Sequence, residues 1–104
     1  MSTSNQMGAF ITLDEASQMT ARYRATIQPG ATIAYAISKE FISRILNQQD
    51  CEGLRIYMGI NDNGETTPVF VGIDNVRNDL SEGLIADNAF PCPSICPSSN
   101  SLNT

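Results

Sequence analysis

The first part of the chain has apolar residues three or four positions apart, at Leu13, Ala16, Met19 and Tyr23. This spacing places them on one side of an α-helix. Thr12 precedes Glu15 by three positions, a capping-box arrangement in which each side chain accepts a hydrogen bond from a backbone N–H that the helix leaves free. The pattern predicts a first helix over residues 13–26, and Pro29 follows its end.

A second stripe of apolar residues, also at helical spacing, consists of Phe41, Ile42, Ile45 and Leu46. It predicts an amphipathic helix over residues 39–49 with Ser38 as its N-cap. Just before this helix, larger and smaller apolar residues alternate over residues 32–37. This segment is predicted as a short strand, and an earlier start of the second helix is the alternative.

The clearest strand pattern is an alternation over residues 54–60, which places four apolar residues on one face: Leu54, Ile56, Met58 and Ile60. Residues 61–64 read Asn-Asp-Asn-Gly, and these residue types tolerate the positive φ of a hairpin turn. Residues 68–74 form the returning strand, with three residues together on one side: Val69, Val71 and Ile73. The pattern predicts an antiparallel hairpin, with residues 32–37 and 83–86 as candidates for a third strand.

With 104 residues, the chain is long enough for one hydrophobic core and too short for two. A two-stranded ribbon alone is marginally stable, so the two helices are expected to cover its apolar face. We therefore predict an α+β domain over residues 11–90, in which two N-terminal helices pack on an antiparallel hairpin of two or three strands. Residues 1–10 are predicted as a flexible tail. Residues 91–104 are predicted as an irregular Pro/Cys-rich segment docked on the domain, because closely spaced prolines disfavour helix and strand.

Composition restricts the function more than the fold. The formal net charge is −5, and the chain contains no histidine. The acidic balance argues against nucleic acid as a partner. Without histidine the chain lacks the commonest general base and the commonest zinc ligand, which favours a non-enzymatic role. The N-terminus lacks the features of a secretory signal, and no run approaches about 18 apolar residues. We therefore expect a cytoplasmic protein without membrane insertion.

Three cysteines are the first candidates for chemistry. Cys92 and Cys96 are four positions apart, and Cys51 immediately precedes the hairpin. One hypothesis is a zinc site in which all three bind the metal with an Asp or a water as fourth ligand. A second is a Cys92–Cys96 disulfide or a redox role. A third, favoured because the C-x3-C spacing is not the usual C-x2-C, is a buried Cys51, two thiols in a docked segment, and no cofactor.

Arg55, Tyr57 and Phe70 are the candidates for an interaction surface. Arg55 and Tyr57 are two apart on one strand and therefore point the same way. Phe70 on the opposite strand is predicted to lie near them. Arginine and aromatic residues are enriched at interface hot spots, so the three are predicted to form a recognition surface. The alternative is a stacking or cation–π group that shields the outer face of the sheet.

Several segments together resemble a known family: Cys51-Glu-Gly-Leu-Arg-Ile-Tyr-Met-Gly59, Val69-Phe-Val-Gly-Ile-Asp74, Asn78-Asp-Leu80 and Cys92-Pro-Ser-Ile-Cys96. The family consists of small uncharacterised bacterial proteins of the Bacteroidetes type, with a Cys-x-Gly-Ile-Arg-Ile-Tyr-Tyr-Gly segment and a C-terminal Cys-Pro-Pro-x-Cys. This chain departs from it at Leu54, Met58 and Ser94, where the family has Ile, Tyr and a second Pro. The resemblance spans residues 10–102. It implies one intact bacterial domain and neither an activity nor a cofactor.

These observations leave three classes of function. The leading hypothesis is a protein-interaction or accessory module that binds a protein partner or self-associates as a homodimer, because the helices and the sheet have apolar faces and no catalytic set is complete. The first alternative is a small Cys-based metal-binding or redox protein. The second is a small-ligand-binding domain, with a pocket near Tyr23, Tyr35 and Tyr57.

Overall fold

A computed structural model describes residues 7–104. Its elements, in chain order, are α1 (Leu13–Arg24), β1 (Ala34–Ala36), α2 (Lys39–Leu46), β2 (Gly53–Ile60), β3 (Thr66–Ile73), β4 (Ile85–Ala86) and β5 (Phe90–Cys92). Helices and antiparallel sheets are both present, so the predicted α+β class is confirmed. The part of the predicted tail in residues 1–6 lies outside the described residues. Neither helix in the described part of the chain has the length and apolar composition needed to cross a membrane.

The pairing of β2 with β3 is the longest in the structure. It is antiparallel and regular from the pair Gly53 and Ile73 to the pair Ile60 and Thr66. The turn between the strands is held by Asn61, whose side-chain oxygen accepts hydrogen bonds from the backbone N–H groups of residues 63 and 65 at 3.0 Å each. Gly64 has a φ of +80°, a conformation that glycine adopts without steric cost. The Asn-Asp-Asn-Gly sequence therefore forms the turn that it predicts.

Both candidates for a third strand form strands, in different sheets. β4 pairs with β3 and completes a three-stranded sheet in the order β2-β3-β4. β1 instead pairs with β5 in a separate two-stranded ribbon, where Tyr35 is opposite Pro91. The prediction that the chain is irregular from residue 91 onward is therefore wrong for the end of β5. A proline fits there because, in a two-stranded ribbon, its position without an N–H can face away from the partner strand.

The core lies on one face of the three-stranded sheet, which we call the inner face. Ile45 from α2, Phe70 from β3 and Ala89 are buried together. Partly buried residues surround them: Tyr35, Ile37, Ile42, Leu54 and Ala86. The opposite, outer face carries Val71, which is also buried. β3 thus has buried residues on both of its faces.

Helix α1 does not contribute to this core. Its capping box forms as predicted, with Glu15 N donating to the Thr12 hydroxyl at 3.1 Å and Thr12 N donating to the Glu15 carboxylate at 2.9 Å. None of its residues is buried. Its C-terminal end is attached through Arg24, which donates to the carbonyl oxygens of Leu102 and Thr104 at 2.6 and 2.7 Å. The prediction that two helices cover the hairpin is therefore wrong for α1, whereas α2 packs as expected.

The side chain of Gln48 links α2 to the segment that leads into β4. Its amide donates to the carbonyl oxygen of Ile45 at 2.9 Å, and its oxygen accepts from Leu84 N at 2.8 Å. A Cβ on Gly83 would overlap with that oxygen. Gly83 is therefore required for the close approach of Gln48, which positions β4 beside β3.

Replacement of Gly83 by alanine is expected to destabilise the fold. The added methyl group displaces the Gln48 amide and breaks its two hydrogen bonds, at a cost of about 1–3 kcal/mol in the free energy of unfolding. Urea denaturation followed by circular dichroism measures the change. Gly59→Ala is the control, because a Cβ there makes only ordinary contacts of 3.4 and 3.5 Å. An equal loss of stability in both variants would contradict the role of Gln48.

Candidate functional site

The outer face of the hairpin carries a cluster of three polar side chains: Arg55, Tyr57 and Asp79. Arg55 Nη1 donates to Asp79 Oδ1 at 2.6 Å, and the Tyr57 hydroxyl donates to Asp79 Oδ2. Strand β2 places Arg55 and Tyr57 two residues apart on the same face. Asp79 is positioned by a backbone bridge to Ile73 and by the preceding loop. In that loop Asp74 Oδ1 accepts from the N–H groups of residues 76 and 78, at 3.0 and 2.9 Å.

The electrostatics of this cluster favour a charged pair at neutral pH. The hydrogen bond from the Tyr57 hydroxyl lowers the pKa of the Asp79 carboxyl, and the Arg55 guanidinium lowers it further against an opposing effect of desolvation. The Asp79 carboxylate in turn raises the pKa of Arg55, with a smaller contribution from Tyr57. A carboxylate and a guanidinium that both stay charged hold a loop against a strand, and they are unsuited to proton transfer.

Phe70 does not belong to this cluster, contrary to the sequence-based prediction. Residues directly opposite each other in an antiparallel pair share a face, and Phe70 is opposite Ile56, whereas Tyr57 is opposite Val69. Phe70 therefore lies on the inner face, where it is 6% exposed and packs in the core. The pattern of residues did not indicate Asp79 as part of this cluster, because nothing local shows that a residue 24 positions after Arg55 returns to its side.

The three cysteines do not form one site. Cys92 and Cys96 are joined by a disulfide, which was one of the alternatives left open by the sequence. The intervening turn is closed by Ile95 N donating to the carbonyl oxygen of Pro91 at 2.9 Å. Cys51 is apart from them, and its thiol donates to the carbonyl oxygen of Gly53 at 3.2 Å. Residues 7–104 contain no group of three His, Cys, Asp or Glu side chains that could hold a metal ion.

Two of the three tyrosines named for a ligand pocket lie at one cleft. Tyr23 and Tyr35 line an open depression of about 640 Å³ beside the turn of the hairpin. The Tyr35 hydroxyl donates across it to the carbonyl oxygen of Thr66 at 3.0 Å. Tyr57 is on the outer face of the sheet with Asp79. The predicted pocket between all three tyrosines is therefore not formed.

Exposed apolar side chains are the most prominent surface feature of the described residues. One set, which we call the α1 stripe, consists of Leu13, Met19 and Tyr23, and each is more than half exposed. A second set, which we call the β2 edge, consists of Ile56, Met58 and Ile60 on the inner face of β2. Since β2 is the first strand of its sheet, these residues lie beside a strand edge that no other strand of residues 7–104 pairs with.

Comparisons of the chain with protein-family models, with curated proteins and with solved structures find no match. The resemblance to the Bacteroidetes-type family therefore stays a prediction from the motifs.

The Asp79 cluster predicts a change in titration when the Tyr57 hydroxyl is removed. Tyr57→Phe should raise the pKa of Asp79 toward the ordinary value, because its largest stabilising hydrogen bond is lost. Since the folded-state pKa of Asp79 is lowered, the pair contributes stability above the unfolded-state pKa, and this contribution is lost as the pH falls through the folded-state pKa. Tyr57→Phe should therefore lose stability near neutral pH and little in acid.

Carbon-detected NMR of the side-chain carboxyl groups measures this pKa directly. Tyr35→Phe is the matched control, because its hydroxyl binds Thr66 rather than Asp79. An identical Asp79 titration in wild type and Tyr57→Phe would contradict the hydrogen bond.

The disulfide makes a simple prediction for thiol counting. Unfolded protein that has not been reduced should take up one alkyl label, at Cys51, and prior reduction should raise the number to three. Intact-mass spectrometry counts the labels. Cys51→Ser is the control and should take up none before reduction. Three labels without reduction would contradict the disulfide.

Proposed function

We propose that this chain is a non-enzymatic protein-interaction module and that α1 is its binding element for a protein partner. The observation that carries the proposal is the exposure of the α1 stripe. Met19 and Tyr23 are four positions apart and therefore share one side of the helix. Neither side chain is buried by the rest of the described chain.

An uncovered helix of this length has little stability of its own. α1 contains 12 residues, and isolated helices shorter than about 12–15 residues are marginal in water. Most helical stability in proteins comes from burial of an apolar face. The capping box and the attachment of Arg24 to the C-terminal segment keep α1 formed, while its apolar side stays available. This combination favours a helix that completes its packing against another protein.

A groove beside α1 defines the chemistry of the partner. It has a volume of about 230 Å³ and is lined mainly by apolar groups, from Met19, Tyr23, Ile33 and Leu102. Arg24 also lines this groove. A partner whose apolar side chain fills the groove and whose carboxylate lies beside Arg24 would therefore be complementary to it. The ion pair of Asp79 also supports a non-enzymatic role, since its charged groups bind each other.

The disulfide indicates the kind of cellular compartment in which the protein is found. Thiols in the cytosol are kept reduced, and disulfides persist mainly in oxidising compartments. The Cys92–Cys96 bond therefore favours an oxidising compartment over the cytoplasmic location expected from the sequence. The motifs at residues 51–59 and 92–96 still support membership of the Bacteroidetes-type family, which we retain as a proposal.

The test combines hydrogen exchange with two variants. In the free protein, amides of α1 should exchange much faster than those of β3, because no α1 side chain is buried. A partner captured from the source cells should protect these amides. Capture of this partner should be lost with Met19→Ser/Tyr23→Ser. It should be retained with Gln18→Ala, which alters the far side of the helix. Equal capture by both variants, or α1 amides as protected as those of β3 in the free protein, would overturn the proposal.

A further inference from the structure

We propose that two copies of this chain associate through the unpaired edge of β2 and form one continuous six-stranded antiparallel sheet. The partner in this case is a second copy of the chain. This surface is distinct from α1.

The backbone of β2 directs one row of polar groups away from β3. In an antiparallel pair, successive residues alternate between bonding the neighbouring strand and facing away from it. Gly72 faces away from β2, because its carbonyl oxygen accepts from Leu80 N at 2.8 Å. Its partner Leu54 therefore directs its own N–H and C=O outward, and so do the alternate residues Ile56, Met58 and Ile60. Just beyond the strand, Asn61 N donates to the carbonyl oxygen of Glu65, which agrees with this alternation.

The edge lacks the features that usually protect an exposed strand. Natural edges are blocked by prolines, lysines, bulges or very short strands. β2 has eight residues without proline or lysine, and its register with β3 is regular throughout. Its single charged residue is Arg55, which is bound to Asp79. β4, at the other edge of the same sheet, has only two residues and offers almost no backbone for pairing.

Two-fold symmetry restricts how two such edges pair. Antiparallel association of identical edges places the symmetry axis perpendicular to the sheet, so the inner faces of both copies stay on the same side. Residues opposite each other must then share a face, and only registers that pair even with even or odd with odd positions are possible. The outward-directed backbone groups belong to the even-numbered residues of β2. In every register that symmetry allows, the outward-directed N–H and C=O groups of one copy are therefore opposite those of the other copy.

Charge and side-chain contacts favour one of these registers. A register centred on Arg55 places two guanidinium groups opposite each other, which is unfavourable. A register centred on Ile56 instead places Arg55 opposite Tyr57 of the partner subunit, and does so twice by symmetry. An arginine beside a tyrosine ring is an attractive contact. The same register places Ile56 opposite Ile56 of the partner subunit and Leu54 opposite Met58 of the partner subunit on the inner face. Two of the three residues of the β2 edge, Ile56 and Met58, therefore gain an apolar neighbour.

The surface of the chain is large enough for such a contact. It exposes 8089 Å², whereas a compact monomer of 11.3 kDa exposes about 5,700 Å². Even when about 900 Å² is set aside as the largest area that six residues of this mass can expose, the surplus is about 1,500 Å². A standard interface buries about 800 Å² per partner. A dimer of ordinary size therefore fits within the surplus.

Light scattering coupled to size-exclusion chromatography, over a range of concentrations, tests the dimer. The wild type should shift from 11.3 kDa toward twice that mass as the concentration rises. Ile56→Lys places two ammonium groups opposite each other at the symmetry axis and should weaken the dimer roughly tenfold or more. Ile85→Lys is the matched control, because Ile56 and Ile85 are each 55% exposed at the two edges of the same sheet. It should leave the dimer unchanged.

Residue-resolved hydrogen exchange separates this edge from any other interface. The amides of Ile56 and Met58 should be exposed in the monomer and protected at dimer concentrations. Those of Arg55 and Tyr57, which bond β3, should be protected in both. Circular dichroism of Ile56→Lys checks that it stays folded, and Met58→Lys provides a second variant if it does not. A monomer at all concentrations, or equal loss of the dimer in Ile56→Lys and Ile85→Lys, would overturn the proposal. The dimer should persist in Met19→Ser/Tyr23→Ser, so failure of the α1 proposal is distinguishable.

Discussion

The rest of the structure depends on burial of β3 on both faces and at both of its edges. On the inner face Phe70 packs against Ile45 of α2, and on the outer face Val71 is buried beside the Arg55–Asp79 pair. In the plane of the sheet, β2 pairs with β3 over its whole length, and β4 pairs with it at Phe70 and Val71. Because β3 is central, each element that contacts it becomes ordered by it. The elements farther from β3 are the exposed ones, namely the edge of β2 and helix α1.

This arrangement produces a flat molecule, with extents of 45 × 40 × 22 Å. A flat chain of this size cannot cover all of its apolar side chains, because its ratio of surface to volume is high. Uncovered apolar residues occur at several places on the surface, including Phe10, Val76 and Phe90. Two sets among them are regular, a stripe along a capped helix and a row along a strand, and these are the two kinds of surface that proteins use for docking and for strand addition.

The polar cluster and the cysteines hold loops and turns in position against the strands. Asp79 brings the loop after β3 back to β2 by binding Arg55 and Tyr57. Cys92 and Cys96 close the turn after β5, and Cys51 fits beside Gly72 at the start of β2. Each side chain that the sequence marks as a candidate for chemistry thus has a structural partner nearby.

The sequence by itself determined the local elements. The capping box at Thr12 and Glu15, the stripe of α2, the strand alternation and the Asn-rich turn each depend on neighbours within a few positions, so each is visible in the pattern. Only the tertiary structure decided which elements meet: that α1 stays uncovered, that β1 pairs with β5, that Phe70 faces inward, and that Asp79 rather than Phe70 joins Arg55 and Tyr57. These outcomes depend on contacts between distant residues. A periodic pattern states which residues share a face and does not state what covers that face.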